Sequence, residues 1–350
     1  MGDSSVNFKT GFRYHHGSIF IIQSPYHSAI TVTIPYDKNA AVIVLPAIGG
    51  SRLQDASLKA WLSHATLRQA SEPSELLATV LGALNRPYPE QGLAALRMWG
   101  QTGDRPTVWL AAADPVYLEP RLDHLCMHAL DDEFVSAADH RMVFDYLQQT
   151  LAKNSGFGFA RIGNCGYVRS NDPLATATMP DLVIDGHVPN EFMPSGDAAD
   201  DYRGLRSEVE MALHDHEVNT RRQAEGLPPI NSLWLWGGGM APEQQTEPNP
   251  PLFCGEPLPR GYWLSKTAVV QPWPGTIAGC LDASVAGFVA VPDIEPADVD
   301  SVELILGELR TALHDGRISQ VKLFSADGIE AVVQPGDRWR FWRRTSALLQ

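Results

Sequence analysis

The chain has 350 residues, of which 44% are hydrophobic, a composition that is typical of a folded protein with a large core and excludes a disordered one. Its 41 acidic and 27 basic residues give a formal net charge of −14, and an acidic chain repels phosphate backbones, so we expect no nucleic-acid partner. The longest nearly apolar run, residues 40–50, is shorter than the roughly 20 residues of a membrane-spanning helix, so we expect no membrane partner either.

The cysteines and the N-terminus indicate the compartment. The four cysteines are too far apart in sequence to form a Cys-x-x-Cys motif, so neither a zinc motif nor a redox motif is predicted. The first residues do not combine a charged flank with a long apolar run, and we therefore predict no signal peptide. These features lead us to expect a reduced, soluble, cytoplasmic protein without a cofactor.

In the first half of the chain, apolar runs and breaker residues predict strands and helices in alternation. Residues 1–36 are expected to be extended, and the continuous apolar run at 41–45 is typical of a central strand that is covered on both faces. Strand and helix signals follow in turn. The further predicted elements are helices over 53–70, 76–84 and 132–152, strands over 107–111 and 157–161, and a loop over 163–201.

The second half continues the alternation. Leu205, Val209 and Leu213 recur every fourth residue, which places an apolar stripe on one face of a helix. The further predicted elements are strands over 232–236, 288–291 and 320–324, a proline-rich loop over 241–260, and a helix over 300–313. Alternating strands and helices predict an α/β protein with a doubly wound, largely parallel sheet.

The strongest local signals lie between Ala212 and Gly239. A polar helical block ends where Gly226 precedes Pro228 and Pro229, because proline cannot continue the helical hydrogen bonds. A short apolar strand follows at once, and the three glycines after it predict a turn of the backbone. This succession indicates a site built between two layers of structure.

The same block carries a resemblance to a known family. From His216 to Asn231 the sequence contains H-x-V-N-x-x-R-x-x-x-G-L-P-P-x-N, which resembles the end of the inserted domain in archaeal-type, cofactor-independent phosphoglycerate mutases of the alkaline-phosphatase superfamily. With the following NSLWLWGGG, the nearer resemblance is to a bacterial family of RpfE-type regulatory proteins. Weaker matches lie in A-D-P-V-Y-L at 113–118 and W-R-F-W-R-R at 339–344. The resemblance implies an alkaline-phosphatase-like core formed by residues 1–94 and 231–350, with an inserted α/β cap domain over residues 95–230.

The resemblance also implies where catalytic metal ligands should stand. These mutases hold two metal ions with Asp and His residues at the ends of core strands, and a serine carries the phosphoryl group. Here Pro46 stands where an Asp is expected, Pro292 where a His is expected, and Gly328 where a His should follow Asp327. We therefore predict no metal site and no catalytic residues.

Three functions fit this pattern. The first is a catalytically degenerate relative of the mutases, a pseudoenzyme that acts as a regulatory or ligand-binding protein. The alternative is an active phosphoryl-transfer enzyme, of the mutase or phosphatase type, with a rearranged site. A third, a purely structural interaction module, has no small-molecule pocket.

Seven residues of the central block are predicted to bind a ligand. They are His216, Asn219, Arg222, Asn231, Trp236, Gly237 and Gly239. Positions three apart share a helix face, and glycine N–H groups can approach an anion. A small phosphorylated or anionic compound is the expected ligand, and a second protein is the other candidate partner.

Structural roles compete with this prediction. Asparagines often satisfy backbone groups at helix ends and strand starts, and His216 can cap a helix. Arg221 and Arg222 can pair with Glu217 and Glu225 on a solvated face. His124 and His128 would need a helix and a third ligand to bind a metal.

Overall fold

The computed structural model describes residues 37–350, apart from 51, 71–73, 132, 154–155, 197, 285 and 341. The extended segment predicted for residues 1–36 lies outside them. The helices are α1 (Ala56–His64), α2 (Leu76–Ala83), α3 (Leu93–Thr102), α4 (Ala137–Thr150), α5 (Ala198–His214), α6 (Glu217–Ala224), α7 (Pro257–Ser265), α8 (Ile277–Asp282) and α9 (Val299–His314). The strands are β1 (Ala40–Leu45), β2 (Thr66–Gln69), β3 (Trp109–Pro120), β4 (Leu125–Ala129), β5 (Phe157–Ile162), β6 (Cys165–Ser170), β7 (Ser232–Gly239), β8 (Leu252–Phe253), β9 (Val270–Gln271), β10 (Phe288–Ala290), β11 (Gln320–Ser325) and β12 (Ile329–Val333).

The first sheet has seven strands in the order β2-β12-β11-β1-β10-β8-β9. Its strands from β11 to β9 are parallel, and β12 and β2 form an antiparallel edge. The predicted central strand is confirmed, because β1 pairs with both β10 and β11. The α/β class with a largely parallel sheet is likewise confirmed.

Helices cover both faces of this sheet. Successive side chains of a strand point to opposite faces, so Val42 and Ile43 of β1 enter different cores. Val42 lies in a core with residues of α2 and α7, and Ile43 lies in one with residues of α1, α8 and α9. This explains why the whole of β1 is apolar.

The second sheet contains β3 to β7 and is antiparallel. Its long strand β3 pairs with β4, β6 and β7. The predicted boundary at residues 230 and 231 groups β7 with the phosphatase-like core, whereas β7 is hydrogen-bonded to β3 of the second sheet. The division into core and cap stays a prediction.

Four segment predictions need correction. The predicted helix over 53–70 is α1 followed by β2, which turns back to pair with β12. The predicted loop over 163–201 begins with a hairpin, since Gly163 has a positive φ of 57° and connects β5 to β6. The predicted loop over 241–260 contains β8 and the start of α7, where Pro257 occupies the first turn of the helix.

The fourth correction concerns the three glycines after Trp236. They do not form a turn but continue β7, and the pairing register with β3 shifts between Leu110 and Ala112. Such an irregularity accommodates the positive φ of Gly237, 63°. Within the described part of the chain, no helix is long and apolar enough to cross a membrane.

Candidate functional site

The carboxyl ends of β1, β10 and β11 lie side by side, where the resemblance implies metal ligands. Leu45 at the end of β1 is in register with Ser325 at the end of β11, so the residues that follow each strand meet at one edge. Asp327 follows β11 at this edge, and Asp293 and Glu295 follow β10. The Oδ2 of Asp327 accepts from the Gly49 N–H at 2.6 Å, and its Oδ1 accepts from the Ile48 N–H at 3.3 Å and from the Ser325 hydroxyl.

These residues do not fit a pair of metal ions. The side chains of Pro46 and Pro292 offer no ligand atom, and both oxygens of Asp327 accept hydrogen bonds from the protein. A carboxylate so bonded connects the loop after β1 to the turn after β11. Among the described residues, the one group of three metal-ligand side chains that converge lies elsewhere, on the second sheet.

His216 caps a helix. It is the N-cap residue of α6, and its Nδ1 accepts a hydrogen bond from the Val218 N–H at 3.2 Å. Its ring packs against that of Tyr146 on α4, with centroids 4.4 Å apart. Burial lowers the pKa of His216, which favours the neutral ring that can accept the capping hydrogen bond.

The two asparagines bond to backbone groups. Asn219 is buried and donates to the carbonyls of Leu213 and Ile230 at 2.9 and 2.8 Å, while its Oδ1 accepts from the Ile230 N–H at 2.8 Å. Asn231 accepts from the Leu118 N–H at 2.7 Å and donates to the Leu118 carbonyl at 2.9 Å. Each asparagine side chain therefore satisfies backbone N–H and carbonyl groups that a neighbouring strand or turn would otherwise satisfy.

Arg222 has no exposed side-chain surface. Its Nη1 donates to Asp139 Oδ2 at 2.9 Å, and its Nε donates to the Pro228 carbonyl at 2.9 Å. Arg221, which is 43% exposed, contacts the other oxygen of Asp139. The predicted pairing of both arginines with Glu217 and Glu225 is thus wrong, because α6 packs beside α4 and turns Arg222 into the core.

Trp236 belongs to a separate buried cluster. Its indole N–H donates to Asp114 Oδ2 at 2.6 Å, and Arg97 Nη1 donates to both oxygens of the same carboxylate at 3.0 and 2.8 Å. The Arg97 guanidinium lies 4.8 Å from the ring centre of Tyr167 and 5.2 Å from that of Trp236. This cluster connects α3 to β3, β6 and β7.

A second carboxyl group, that of Asp181, lies buried near this cluster. Burial, followed by the negative charge of Asp114, raises the pKa of Asp181 to about 8, against a partial offset from the charge of Arg97. Burial therefore favours the protonated form of Asp181. The sequence analysis contains Asp114 only as part of the A-D-P-V-Y-L match and does not contain Arg97 or Asp181, because these residues are brought together by tertiary packing.

The two predicted glycines allow a helix to approach β7. A Cβ added to Gly237 would lie 2.9 Å from the Leu93 Cβ, and one added to Gly239 would lie 2.5 Å from the Gly92 nitrogen. The Gly237 N–H donates to the Ala177 carbonyl at 3.0 Å. The close contact here is with the start of α3.

The seven predicted residues thus lie at four places: His216 at the N-terminus of α6, Asn219 and Asn231 beside the turn between α6 and β7, Arg222 in the Asp139 ion pair, and Trp236, Gly237 and Gly239 in β7, where this strand faces α3. The hydrogen bonds described above are all with the protein's own groups. Ligand binding by these residues stays a prediction.

Comparison with known proteins shows a distant sequence similarity to one kind of enzyme. No family model matches the chain. Its sequence is similar to 2,3-bisphosphoglycerate-independent phosphoglycerate mutases: 28% identical over 179 residues to that of Methanothrix thermoacetophila, covering 47% of this chain and 45% of the relative. A probable mutase of Geobacter sulfurreducens is 28% identical over 136 residues, covering 37% and 33%. The second mutase of Methanothermobacter thermautotrophicus is 41% identical over 114 residues, covering 32% and 28%.

The chain therefore spans less than half the length of the relatives it matches. Among solved structures, the mutase of Thermoplasma acidophilum aligns with a TM-score of 0.40 at 16% identity, covering 85% of this chain and 90% of that one. A protein from Pyrococcus horikoshii aligns with a TM-score of 0.49 at 11% identity, covering 89% and 90%. The sequence matches make this chain a distant homologue of the cofactor-independent phosphoglycerate mutases.

Proposed function

We propose that this chain is a mutase relative that has lost dimetal phosphoryl transfer and acts as a regulatory or ligand-binding protein. One observation carries the proposal: at the carboxyl edge of the parallel sheet, Pro46 and Pro292 follow β1 and β10, and Asp327 is bonded to the loop after β1.

The chemistry explains why this edge matters. Two metal ions that clamp a transferring phosphoryl group each need several carboxylate or imidazole ligands. The two prolines supply no ligand, Asp327 already accepts three hydrogen bonds, and Asp293 and Glu295 after β10 belong to no group of three converging ligand side chains among the described residues. The Asp327 carboxylate also stabilises the loop after β1, because it accepts hydrogen bonds from the backbone N–H groups of Ile48 and Gly49.

Regulation and binding are supported by the central block. The NSLWLWGGG segment resembles RpfE-type regulatory proteins, and the motif from His216 to Asn231 resembles the mutases. A small phosphorylated or anionic compound is the ligand that this relationship favours, and a protein partner is the other candidate.

The first test is mutase activity. The purified full chain, with Mn²⁺ added, is expected to show no interconversion of 3- and 2-phosphoglycerate under conditions in which the Methanothrix thermoacetophila relative is active. Turnover at rates typical of enzymes, roughly 1–10³ per second, would overturn the proposal.

The second test is ligand binding, measured as a shift in Tm with 3-phosphoglycerate at several concentrations. A ligand at about 100 times its Kd stabilises the folded state by about 2.7 kcal/mol. Sodium sulfate at equal ionic strength is the control for nonspecific anion effects. A concentration-dependent shift with 3-phosphoglycerate alone supports a ligand-binding role, and equal shifts with both salts count against it.

A further inference from the structure

The hairpin of β3 and β4 brings three metal-ligand side chains to one face. The strand register places Glu119 directly opposite Cys126, and Tyr117 opposite His128. Because side chains alternate along a strand, these four residues share a face, whereas Leu118 and Met127 point to the core. The cluster therefore follows from the hairpin register.

The donor atoms of Glu119, Cys126 and His128 converge. One ligand atom from each lies within 4.8 Å of the others, and His128 Nε2 lies 3.0 Å from Glu119 Oε2. Thiolate, imidazole and carboxylate are the ligands of Zn²⁺, at about 2.0–2.3 Å from the ion. Small side-chain rotations would bring all three to that distance around one ion.

A second observation, independent of these three residues, points the same way. On the far side of the His128 ring, Nδ1 faces Asp185 Oδ1 at 3.8 Å. That oxygen also accepts from the Ala129 N–H at 2.9 Å, which fixes its position. A carboxylate behind the second ring nitrogen is the usual way in which proteins orient a metal-bound histidine.

We propose that Glu119, Cys126 and His128 bind one Zn²⁺ ion, with Asp185 positioning the His128 ring and a fourth coordination site left for water. The proposal goes beyond the proposed function, because this site lies on the second sheet and not at the strand ends where the mutases hold metal. Binding requires the Cys126 thiol to release its proton to solvent.

The competing explanation is an ordinary ion-pair group. Arg121 lies 2.6 Å from the same Oε2 of Glu119, and with His128 it can satisfy that carboxylate without a metal. The Arg121 side chain is 51% exposed, so it can move into solvent when a cation enters. The two explanations differ in what they require of Cys126, because only the metal site uses its thiol.

Cobalt spectroscopy distinguishes them. The full chain, reduced and freed of metal by a chelator, is titrated with Co²⁺, whose bond to a thiolate gives a charge-transfer band in the near ultraviolet. We expect this band to saturate at one Co²⁺ per chain and to disappear when Zn²⁺ is added. Cys126→Ser should abolish the band, and His128→Ala and Glu119→Gln should weaken Co²⁺ binding.

The positioning role of Asp185 has its own readout. Asp185→Asn should lower Co²⁺ affinity by about 10–100-fold and leave the thiolate band in place at saturation, as expected for a residue that acts through a ligand. Cys165→Ser and His124→Ala are the matched controls, since Cys165 is a cysteine outside the hairpin and His124 is the other histidine within it. Both should keep the wild-type titration.

Two results would overturn the proposal: a folded wild-type chain that shows no thiolate band at one equivalent of Co²⁺, or a band that persists in Cys126→Ser. Circular dichroism verifies that each variant is folded. If Cys126→Ser does not fold, loss of the band in folded Glu119→Gln and His128→Ala supports the site, and its retention in both refutes it.

Discussion

Arg222 of α6 donates from Nη1 to Oδ2 of Asp139 on α4 at 2.9 Å, and the two residues are 83 positions apart in sequence. Both side chains are buried, and Asp139 compensates the charge of Arg222, while the more exposed Arg221 contacts the other oxygen of the same carboxylate. The ion pair thus ties the most recognisable segment of the chain to a helix of the second sheet's layer.

Removal of Arg222 should be costly. Arg222→Ala leaves the buried Asp139 carboxylate with only the more exposed Arg221 as a charged partner among those described above. Breaking a buried ion pair in this way costs about 3–5 kcal/mol of stability. Arg221→Ala is a matched control, because it removes a 43% exposed partner of the same carboxylate and should cost about 0–1 kcal/mol. Urea denaturation of both variants measures the difference, and equal losses would contradict a buried pair.

Substitution of the two asparagines distinguishes a structural role from a ligand-binding role. Asn219→Ala and Asn231→Ala each leave backbone groups without their partners, and we expect each to lower the free energy of unfolding by about 1–3 kcal/mol. Denaturant titration measures this loss, and Tm shifts with 3-phosphoglycerate then test binding in the variants that fold. A variant with wild-type stability but no ligand shift would favour the binding role.

Local patterns predicted the three central strands β1, β10 and β11 of the first sheet, but not its strands β2, β8, β9 and β12. The apolar run of β1 and the four-residue recurrence of Leu205, Val209 and Leu213 are local signals, and they lie in a strand and in a helix, α5, as expected. The prediction of a loop over 163–201 does not include the β5–β6 hairpin, although Gly163 and Asn164 form a two-residue connection with a glycine, which is a hairpin signal.

The candidate sites were harder to predict, since their residues meet through tertiary packing. Asp139 with Arg222, and Arg97 with Asp114, lie on different elements, so no spacing rule joins them. His128 was considered only with His124 on a helix, whereas a strand places it near Cys126 and Glu119. The motif at 216–231 identified the relationship, and each of its polar side chains described above bonds to the protein itself.

The crossing of α3 and α7 depends on two glycines. A Cβ added to Gly100 would lie 1.8 Å from the Pro257 carbonyl oxygen, and one added to Gly261 would lie 1.8 Å from the Leu96 carbonyl oxygen. Backbone atoms cannot move aside as a flexible side chain can, so Gly100→Ala and Gly261→Ala should each cost about 1–3 kcal/mol or more.

Gly307→Ala is the control for these two substitutions. Gly307 also lies within a helix, α9, but a Cβ there meets nothing within 4 Å. Alanine is the better helix former, so this variant should gain about 0.5–1 kcal/mol. Thermal unfolding of the three variants should therefore give shifts of opposite sign, and a gain for Gly100→Ala would refute the close crossing.

The buried Asp181 should make stability depend on pH. An unfolded aspartate titrates near 3.9, whereas the pKa of Asp181 in the folded chain is raised to about 8. Below about pH 4 the carboxyl is protonated in both states and burial carries no charge penalty. Between about pH 4 and pH 8 the unfolded state releases the proton more readily, so the free energy of unfolding falls as pH rises, and above pH 8 this loss is complete.

Asp181→Asn keeps a neutral side chain at every pH and should remove this loss. The Tm of the variant relative to wild type should therefore rise from pH 4 to pH 8 and then level off, and about 1 kcal/mol corresponds to roughly 2–4 °C in a domain of 150–250 residues. Asp172→Asn, at an exposed position, controls for the loss of one negative charge and should follow the wild-type profile. Parallel curves for wild type and Asp181→Asn across this range would show that the carboxyl is ionised in the folded chain at neutral pH.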